Sequence, residues 1–448
     1  MSRFPKDFLW GVACASYQCE GGWDADGKGP NIWDDFCHDA AGKHIKNGDT
    51  GDVACDSYHR FREDVALMKA HNVQAYRFSI NWARVIPNGD GAVNEAGLRF
   101  YDELVNELLA NGIEPLITLY HWDLPSALQD RGGWLNRDIA DVFGRYAAVI
   151  AERFRGRVSK YMTLNEPQCV AALGYGTGEH APGLKLSEEK VAQVFHHLCL
   201  AHSAAYRAIK AVDPSALVGT VSCGRLNFPE KDTPESREAA YEATFRLAEG
   251  DWAFTYGIFL DPLCLKRYDD SAPAAVKRFA AGVDPHDWEL METPDFIGIN
   301  VYNGVAVDEK GEPVRPYPGF PRTAMKWLVT PEVMHYGPMN IARRYGLPVY
   351  ITENGQSCND RIHLDGKVHD PERIDFLHRY LLELSRAVEE GVDLRGYMQW
   401  SFLDNFEWSQ GYDERFGMIY VDYRTCERTP KDSAGWYAGV IRTNGECL

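Results

Sequence analysis

Two glutamates carry the strongest chemical signal in this chain. One closes the segment Tyr-Met-Thr-Leu-Asn-Glu-Pro at Glu166, and the other sits at Glu353 in Val-Tyr-Ile-Thr-Glu-Asn-Gly. Each ends a short apolar run, so each acid is delivered among buried neighbours, where a carboxyl is costly unless it is paired or put to use. Two such carboxyls across one pocket can divide labour. A protonated one gives its proton to a leaving oxygen, and an ionised one attacks or stabilises an anomeric carbon, which is what glycosidic bond cleavage requires. Either acid alone could instead serve as the partner of a buried arginine. The tryptophans and side-chain amides around both favour the chemical reading.

Something must hold these residues in register. Short apolar, β-branched runs recur at Leu9–Tyr17, Val73–Trp82, Glu114–Trp122, Ser159–Pro167, Leu217–Gly224, Asp295–Tyr302, Leu347–Glu353 and Leu394–Phe402. Several are continuously hydrophobic, as in strands buried on both faces. Helical periodicity fills the gaps, at Tyr58–Ala70, Leu98–Leu109, Ile139–Phe154, Val191–Val212, Pro331–Tyr345, Arg373–Val388 and Asp432–Arg442. A polar helix is expected over Glu235–Leu247. Eight strands interleaved with helices predict an α/β fold, a single (β/α)8 TIM barrel with long βα loops. An open doubly wound sheet usually carries fewer strands and a Gly-rich first turn. A barrel needs only about 250 residues, so the surplus is expected in the loops Glu20–Asp52, Gln168–Glu189, Arg225–Pro234 and Asn303–Thr330. No linker divides the chain, which reads as one catalytic domain over residues 1–448.

Barrel active sites form where strands end, on the C-terminal rim. The polar and aromatic residues at those ends are Gln18, Arg77, Asn81, His121-Trp122, Asn165-Glu166, Asn300, Tyr302, Glu353-Asn354 and Trp400, with Glu407-Trp408 just beyond. The fifth strand offers only Asn227. Apolar residues would pack a purely structural rim better, so the set predicts a polar pocket. Trp122 and Trp400 have core packing as their alternative, and His121 a satisfied barrel histidine.

Composition removes other classes. A net charge of −18 and the lack of any basic run argue against a nucleic-acid partner. No apolar stretch approaches the roughly 18 residues of a membrane span. Eleven scattered cysteines without a C-x-x-C pair read as reduced thiols, and the start carries Asp7 rather than a secretory apolar run, so a cytoplasmic location is expected. His196, His197 and His202 lack H-E-x-x-H spacing, and Gly174-Tyr-Gly176-Thr-Gly178 lacks that of a phosphate loop, so the latter reads as an ordinary loop. No metal and no organic cofactor is expected.

The chain resembles the glycoside hydrolase family 1 β-glucosidases from Phe8-Leu-Trp-Gly through Trp436-Tyr437. The motifs that carry the likeness are Thr118-Leu-Tyr-His-Trp-Asp-Leu-Pro125, Thr163-Leu-Asn-Glu-Pro167, Ile351-Thr-Glu-Asn-Gly355 and Trp400-Ser-Phe-Leu-Asp-Asn-Phe-Glu-Trp408. The resemblance implies a retaining β-glucosidase acting on terminal β-D-glucosyl residues, with β-galactoside or β-fucoside side activity. Its implied ligands are small β-glucosides or short β-linked oligosaccharides, and homo-oligomer formation stays open. By the same resemblance Glu166 is the acid/base and Glu353 the nucleophile, kept ionised by Arg77 and Tyr302. Asn165 binds the 2-hydroxyl. Gln18, His121 and Trp408 read the 3- and 4-hydroxyls, and Glu407 the 4- and 6-hydroxyls. Trp400 is the stacking floor, Trp327 stacks the leaving group, and Trp122 and Asn300 complete the sugar site. A transglycosylase, a 6-phospho-β-glycosidase and a sugar-binding protein without turnover are the alternatives. Glu407 argues against the phosphorylated substrate, because a carboxylate there repels a phosphate.

Overall fold

All eight apolar runs form strands. In the computed structural model, which describes residues 3–39 and 43–448, they are β1 (Leu9–Ala13), β2 (Ala75–Ser79), β3 (Glu114–Tyr120), β4 (Lys160–Asn165), β5 (Leu217–Ser222), β6 (Ile297–Asn300), β7 (Val349–Asn354) and β8 (Leu394–Trp400). All pair in parallel with their sequence neighbours, and β8 returns to β1, so the sheet closes into a (β/α)8 barrel. The interior is dry because the runs bury both faces: Val12, Leu119, Met162, Val218, Ile299, Ile351 and Met398 are all inaccessible.

Helices α1 (Ser57–Ala70), α2 (Glu95–Ala110), α3 (Ile139–Phe154), α4 (Glu188–Val212), α5 (Val333–Tyr345), α6 (Pro371–Glu389) and α7 (Asp432–Thr443) follow the seven periodic stretches. Their ends follow local chemistry. Pro371 opens α6, where a missing N–H costs nothing, and Gly346 closes α5 at φ +66°. The polar helix is present at Pro234–Phe245. Among the described residues no helix is long and apolar enough to cross a membrane. All eleven cysteines are free thiols.

The differences from expectation cluster at the loops. The segment Cys169–Thr177 after β4 is not an ordinary loop but a wide helix of π type. Its glycines suggest a loop, yet Val170, Ala171, Ala172 and Tyr175 are buried and the segment packs on α4, which outweighs glycine's preference. Such turns recur at functional sites. The first run ends at Ala13, and Ser16–Cys19 forms a helical turn carrying Gln18, with the Ser16 amide held by Ser79 Oγ at 2.7 Å. Between β5 and β6 lie three further short helices, Gly257–Leu265, Ala274–Ala281 and Pro285–Leu290. Residues 40–42 of the first long loop lie outside the described residues.

The loops after β7 and β8 are locked together by buried charge. Lys431 Nζ donates to Asp360 Oδ2 at 2.5 Å and Asp404 Oδ1 at 2.6 Å. Arg373 donates to Asp360 at 2.6 Å and also to Asp370, while Arg415 donates to Asp404 at 2.6 Å. This network fixes the segment that presents Glu407 and Trp408. Replacing Lys431 by Met leaves two dry carboxylates without their shared cation. The expected loss is about 3–5 kcal/mol of stability, read as a lower denaturant midpoint; an unchanged midpoint would assign the network no structural weight.

Candidate active site

The C-terminal rim encloses a cavity of about 350 Å³. Ten of the residues singled out from sequence line it: His121 and Trp122 beyond β3, Glu166 beyond β4, Asn300 and Tyr302 at β6, Glu353 on β7, Trp400 on β8, and Trp327, Glu407 and Trp408 from loops. Arg77, Asn165 and Gln18 stand directly behind the lining. Register shifts interrupt the ladders between Met162 and Asn165, between Ile299 and Asn300, and between Tyr397 and Gln399. A bulge of this kind re-aims the side chains beside it, and here the re-aimed ends carry Asn165, Asn300 and Glu353.

The two carboxyls have different partners. Glu353 Oε1 accepts from Arg77 Nη1 at 2.6 Å, and its Oε2 accepts from the Tyr302 hydroxyl at 2.7 Å. Glu166 touches no cation. Its Oε1 accepts from Asn300 Nδ2 at 2.8 Å and its Oε2 from the Cys169 thiol at 3.2 Å. Arg77 also donates through Nη2 to Asn165 Oδ1 at 2.6 Å, through Nε to Thr118 Oγ1 at 3.1 Å and through Nη1 to the Thr352 carbonyl at 3.3 Å. Asn300 Nδ2 shares Asn165 Oδ1 at 3.1 Å, and its Oδ1 accepts from Thr352 Oγ1 at 2.7 Å. One amide network therefore joins both acids.

Around this centre stands an aromatic wall. Trp122 and Trp408 have ring centroids 4.4 Å apart, and the His121 ring lies parallel to that of Trp400 at 5.8 Å. Trp327 packs edge-on to Tyr302 at 5.3 Å. The Trp122 indole N–H is committed to the Asn165 carbonyl at 2.9 Å, so this ring buttresses the strand end as well as lining the cavity. Gln18 donates to the Phe406 carbonyl at 2.8 Å and to Glu407 at 3.4 Å. Its Oε1 and the Nδ1 of His121 are buried with no protein partner. Trp122, Glu166 and Trp408 all take positive φ, at 80°, 47° and 49°. Bulky residues hold such conformations where the surroundings impose them, and they concentrate at functional sites.

Sequence reasoning missed part of the lining. Cys169, Cys223, His180, Glu179, Met325 and Phe416 reach the cavity. Cys169 lies three residues past Glu166 on the helical turn that sequence had assigned to a loop, and that spacing was the available signal. Cys223 follows β5 directly and supplies that strand's contribution. Asn227 does not: it lies on a short strand, Leu226–Pro229, that pairs with Gly304–Val307 away from the lining. The ligand atoms of Glu166, Cys169 and Cys223 lie within 4.8 Å of one another, so the thiols that looked scattered include a group that could hold a metal.

Comparison with known proteins agrees with this geometry. The sequence model of glycosyl hydrolase family 1 matches residues 1–446. This chain belongs to glycosyl hydrolase family 1. β-Glucosidase A of Thermotoga maritima is 42% identical, with 99% of each chain covered. A bifunctional β-D-glucosidase/β-D-fucosidase of Bifidobacterium breve is 40% identical over 98% of each. A solved family 1 β-glucosidase from T. maritima superposes with a TM-score of 0.89 at 41% identity, covering 99% of both chains.

Electrostatics in this family 1 site depart from expectation at Glu353. Burial pushes its carboxyl up to about 7, although the Arg77 guanidinium and the Tyr302 hydroxyl act to lower it and the Glu166 charge adds to the rise. Glu353 is the more deeply buried of the two acids, at 3% exposed against 8% for Glu166. One guanidinium does not offset that desolvation. Burial raises Glu166 as well. Burial and the Arg77 charge together hold His121 well below its ordinary range, so its imidazole is neutral. Repulsion favours a single charge on the pair, and the cation directs that charge to Glu353. A nucleophilic Glu353 would have to be ionised, so activity is expected to fall as pH drops through its pKa. The acid limb of the kcat/KM profile for an aryl glycoside is therefore expected above the ordinary carboxylate range. Arg77→Gln removes the lowering influence and should move that limb up by roughly 1–3 pH units; an unmoved limb would deny Arg77 this role.

Proposed function

We propose that this enzyme is a retaining β-glucosidase that removes terminal, non-reducing β-D-glucosyl residues through a covalent glycosyl-enzyme. The observation that carries the reading is the partition of partners between the two acids: a cation and a phenol on Glu353, uncharged donors only on Glu166. In the first step the Glu353 carboxylate attacks the anomeric carbon while Glu166 transfers its proton to the departing oxygen. The ester bond forms, the glycosidic bond breaks, and the negative charge passes to Glu166. That carboxylate then accepts a proton from water, whose oxygen displaces Glu353 and restores both acids. Two inversions give net retention.

The cavity walls support an unphosphorylated glycone. Among the described residues that line the cavity there is no lysine or arginine, whereas Glu166, Glu179, Glu353 and Glu407 are all present. A phosphate clamp would call for a cation there. Charge at Glu407 alone repels a phosphate less strongly, because burial and the facing Glu353 push that carboxyl up to about 8. Gln18 and Glu407 both offer oxygens and can serve either 4-hydroxyl epimer, which supports side activity on β-galactosides and β-fucosides. The relative named for both glucosidase and fucosidase activity points the same way.

Glu166→Ala tests the assignment. Substrates with poor leaving groups, such as alkyl glucosides and cellobiose, should slow by about 10²–10⁴-fold, and activated aryl glucosides far less in the glycosylation step. Equal losses for both classes would sink Glu166 as the acid. Glu353→Ala should lose turnover and regain it with azide, giving an inverted glycosyl azide; a retained product would contradict the nucleophile role.

A further inference from the structure

Beside the proposed general acid sits a cluster that the hydrolytic steps do not use. Cys169 Sγ lies 3.2 Å from Glu166 Oε2 and 3.9 Å from Cys223 Sγ. Both cysteines line the cavity, and the Cys223 sulfur lies within 4.8 Å of a Glu166 carboxyl oxygen. The three residues come from two neighbouring strand ends. Glu166 and Cys169 share the turn after β4, and Cys223 follows β5, which pairs with β4. Gln168 ties these ends together. Its Nε2 donates to Ser222 Oγ at 2.8 Å and to the Thr255 carbonyl at 3.0 Å, and its Oε1 accepts from the Cys223 amide at 3.3 Å. The cluster is thus held by the barrel itself.

We propose that Glu166, Cys169 and Cys223 form a binding site for a thiophilic divalent cation of the zinc or cadmium type, and that its occupancy arrests catalysis by capturing the Glu166 carboxyl. The arrest rests on the reading of Glu166 as the acid, whereas the binding does not. Tetrahedral zinc with Zn–S of about 2.3 Å and Zn–O of about 2.0 Å spans ligand edges of roughly 3.8 Å between sulfurs and 3.5 Å between sulfur and oxygen. The sulfur–sulfur separation of 3.9 Å and the Cys169–Glu166 separation of 3.2 Å fall beside these values, and the Cys223–Glu166 pair lies within 4.8 Å. Three protein ligands leave a fourth position open to the cavity for water or a substrate hydroxyl, the pattern of an accessible rather than a sealed zinc site. Two sulfurs select soft cations over magnesium and calcium, which take oxygen ligands. Binding converts two thiols to thiolates and Glu166 to its carboxylate, and the three protons leave to solvent. A coordinated Glu166 has no proton to give to a leaving oxygen.

The test is a titration of the whole, reduced, chelator-treated enzyme with cadmium, zinc and magnesium chlorides. Two readouts are followed: the near-ultraviolet sulfur-to-cadmium charge-transfer band and hydrolysis of an alkyl β-glucoside. The expected result is a cadmium band that saturates at one equivalent and a parallel loss of hydrolysis with cadmium or zinc. A chelator should reverse the loss, and magnesium should have no effect. Cys223→Ser and Cys169→Ser should each weaken cadmium binding at least about tenfold, and the double variant should lose the band. The site is overturned by absence of the band, or by an undiminished band in the double variant. Its inhibitory role is overturned by a saturated band with hydrolysis unaffected. Failure of the acid assignment reads out separately, as equal losses of both substrate classes in metal-free Glu166→Ala, and leaves the cadmium band untouched.

Discussion

The site depends on one guanidinium serving several dry acceptors. Arg77 rises from β2 and reaches the Thr118 hydroxyl of β3, Asn165 of β4, and both the Thr352 carbonyl and Glu353 carboxylate of β7. It is inaccessible to water, as is most of what it touches. Removing such a charge from water costs several kcal/mol, and breaking the pair from either side leaves an uncompensated ion. The barrel bears this cost because the same contacts set the positions of a carboxyl and an amide on opposite parts of the rim. Glu353 and Asn165 are therefore not placed independently: the fork of Arg77 fixes both.

The rest of the rim can be understood as protection for that arrangement. The indoles of Trp122 and Trp408 pack on each other, and the Trp122 N–H returns to the Asn165 backbone, so the aromatic wall is anchored to the amide that Arg77 holds. Glu407 and Trp408 arrive on a loop whose underside is tied down by Lys431, Asp404 and Arg415. Gly355, directly past β7, lies so close to β8 that an added Cβ would sit 1.9 Å from the Trp400 carbonyl. Strand ends, loops and rings are all fixed before any substrate enters, which is the condition for electrostatic stabilisation without reorganisation.

The barrel was legible because it is a sum of local statements. Runs such as Leu116–Leu119 and Ile297–Ile299 are buried on both faces and advertise it by continuous hydrophobicity. The intervening helices carry 3.6-residue periodicity, and strand ends are where a barrel presents chemistry. The gathering of Gln18 from the first segment, Trp327 from a loop and Glu407 beyond β8 beside one cavity needed tertiary structure or the likeness to relatives. The wide helix at Cys169–Thr177 was hidden because glycine and tyrosine in alternation look like a loop, and burial of its apolar residues beside α4 overrides that preference. Asn227 misled for the complementary reason: it is a polar residue after a strand, but the chain leaves the rim after Cys223 and carries Asn227 into a separate two-stranded ribbon.

Charge was the least legible property, since it depends on depth as well as partners. The presence of an arginine and a tyrosine beside Glu353 suggests a low pKa, and both do lower it, but near-complete burial acts on every anion in the cup and is the largest influence on Glu353, Glu166 and Glu407 alike. Three acids in a cavity lined by no lysine or arginine among the described residues cannot all be charged at once at moderate cost. What separates them is contact with the one cation standing behind the lining. Contact with Arg77 acts to lower the Glu353 carboxyl directly, whereas Glu166 is held by an amide and a thiol and touches no cation. The division of labour proposed for two identical side chains thus rests on unequal access to the Arg77 guanidinium, with burial supplying the pressure that makes the inequality matter.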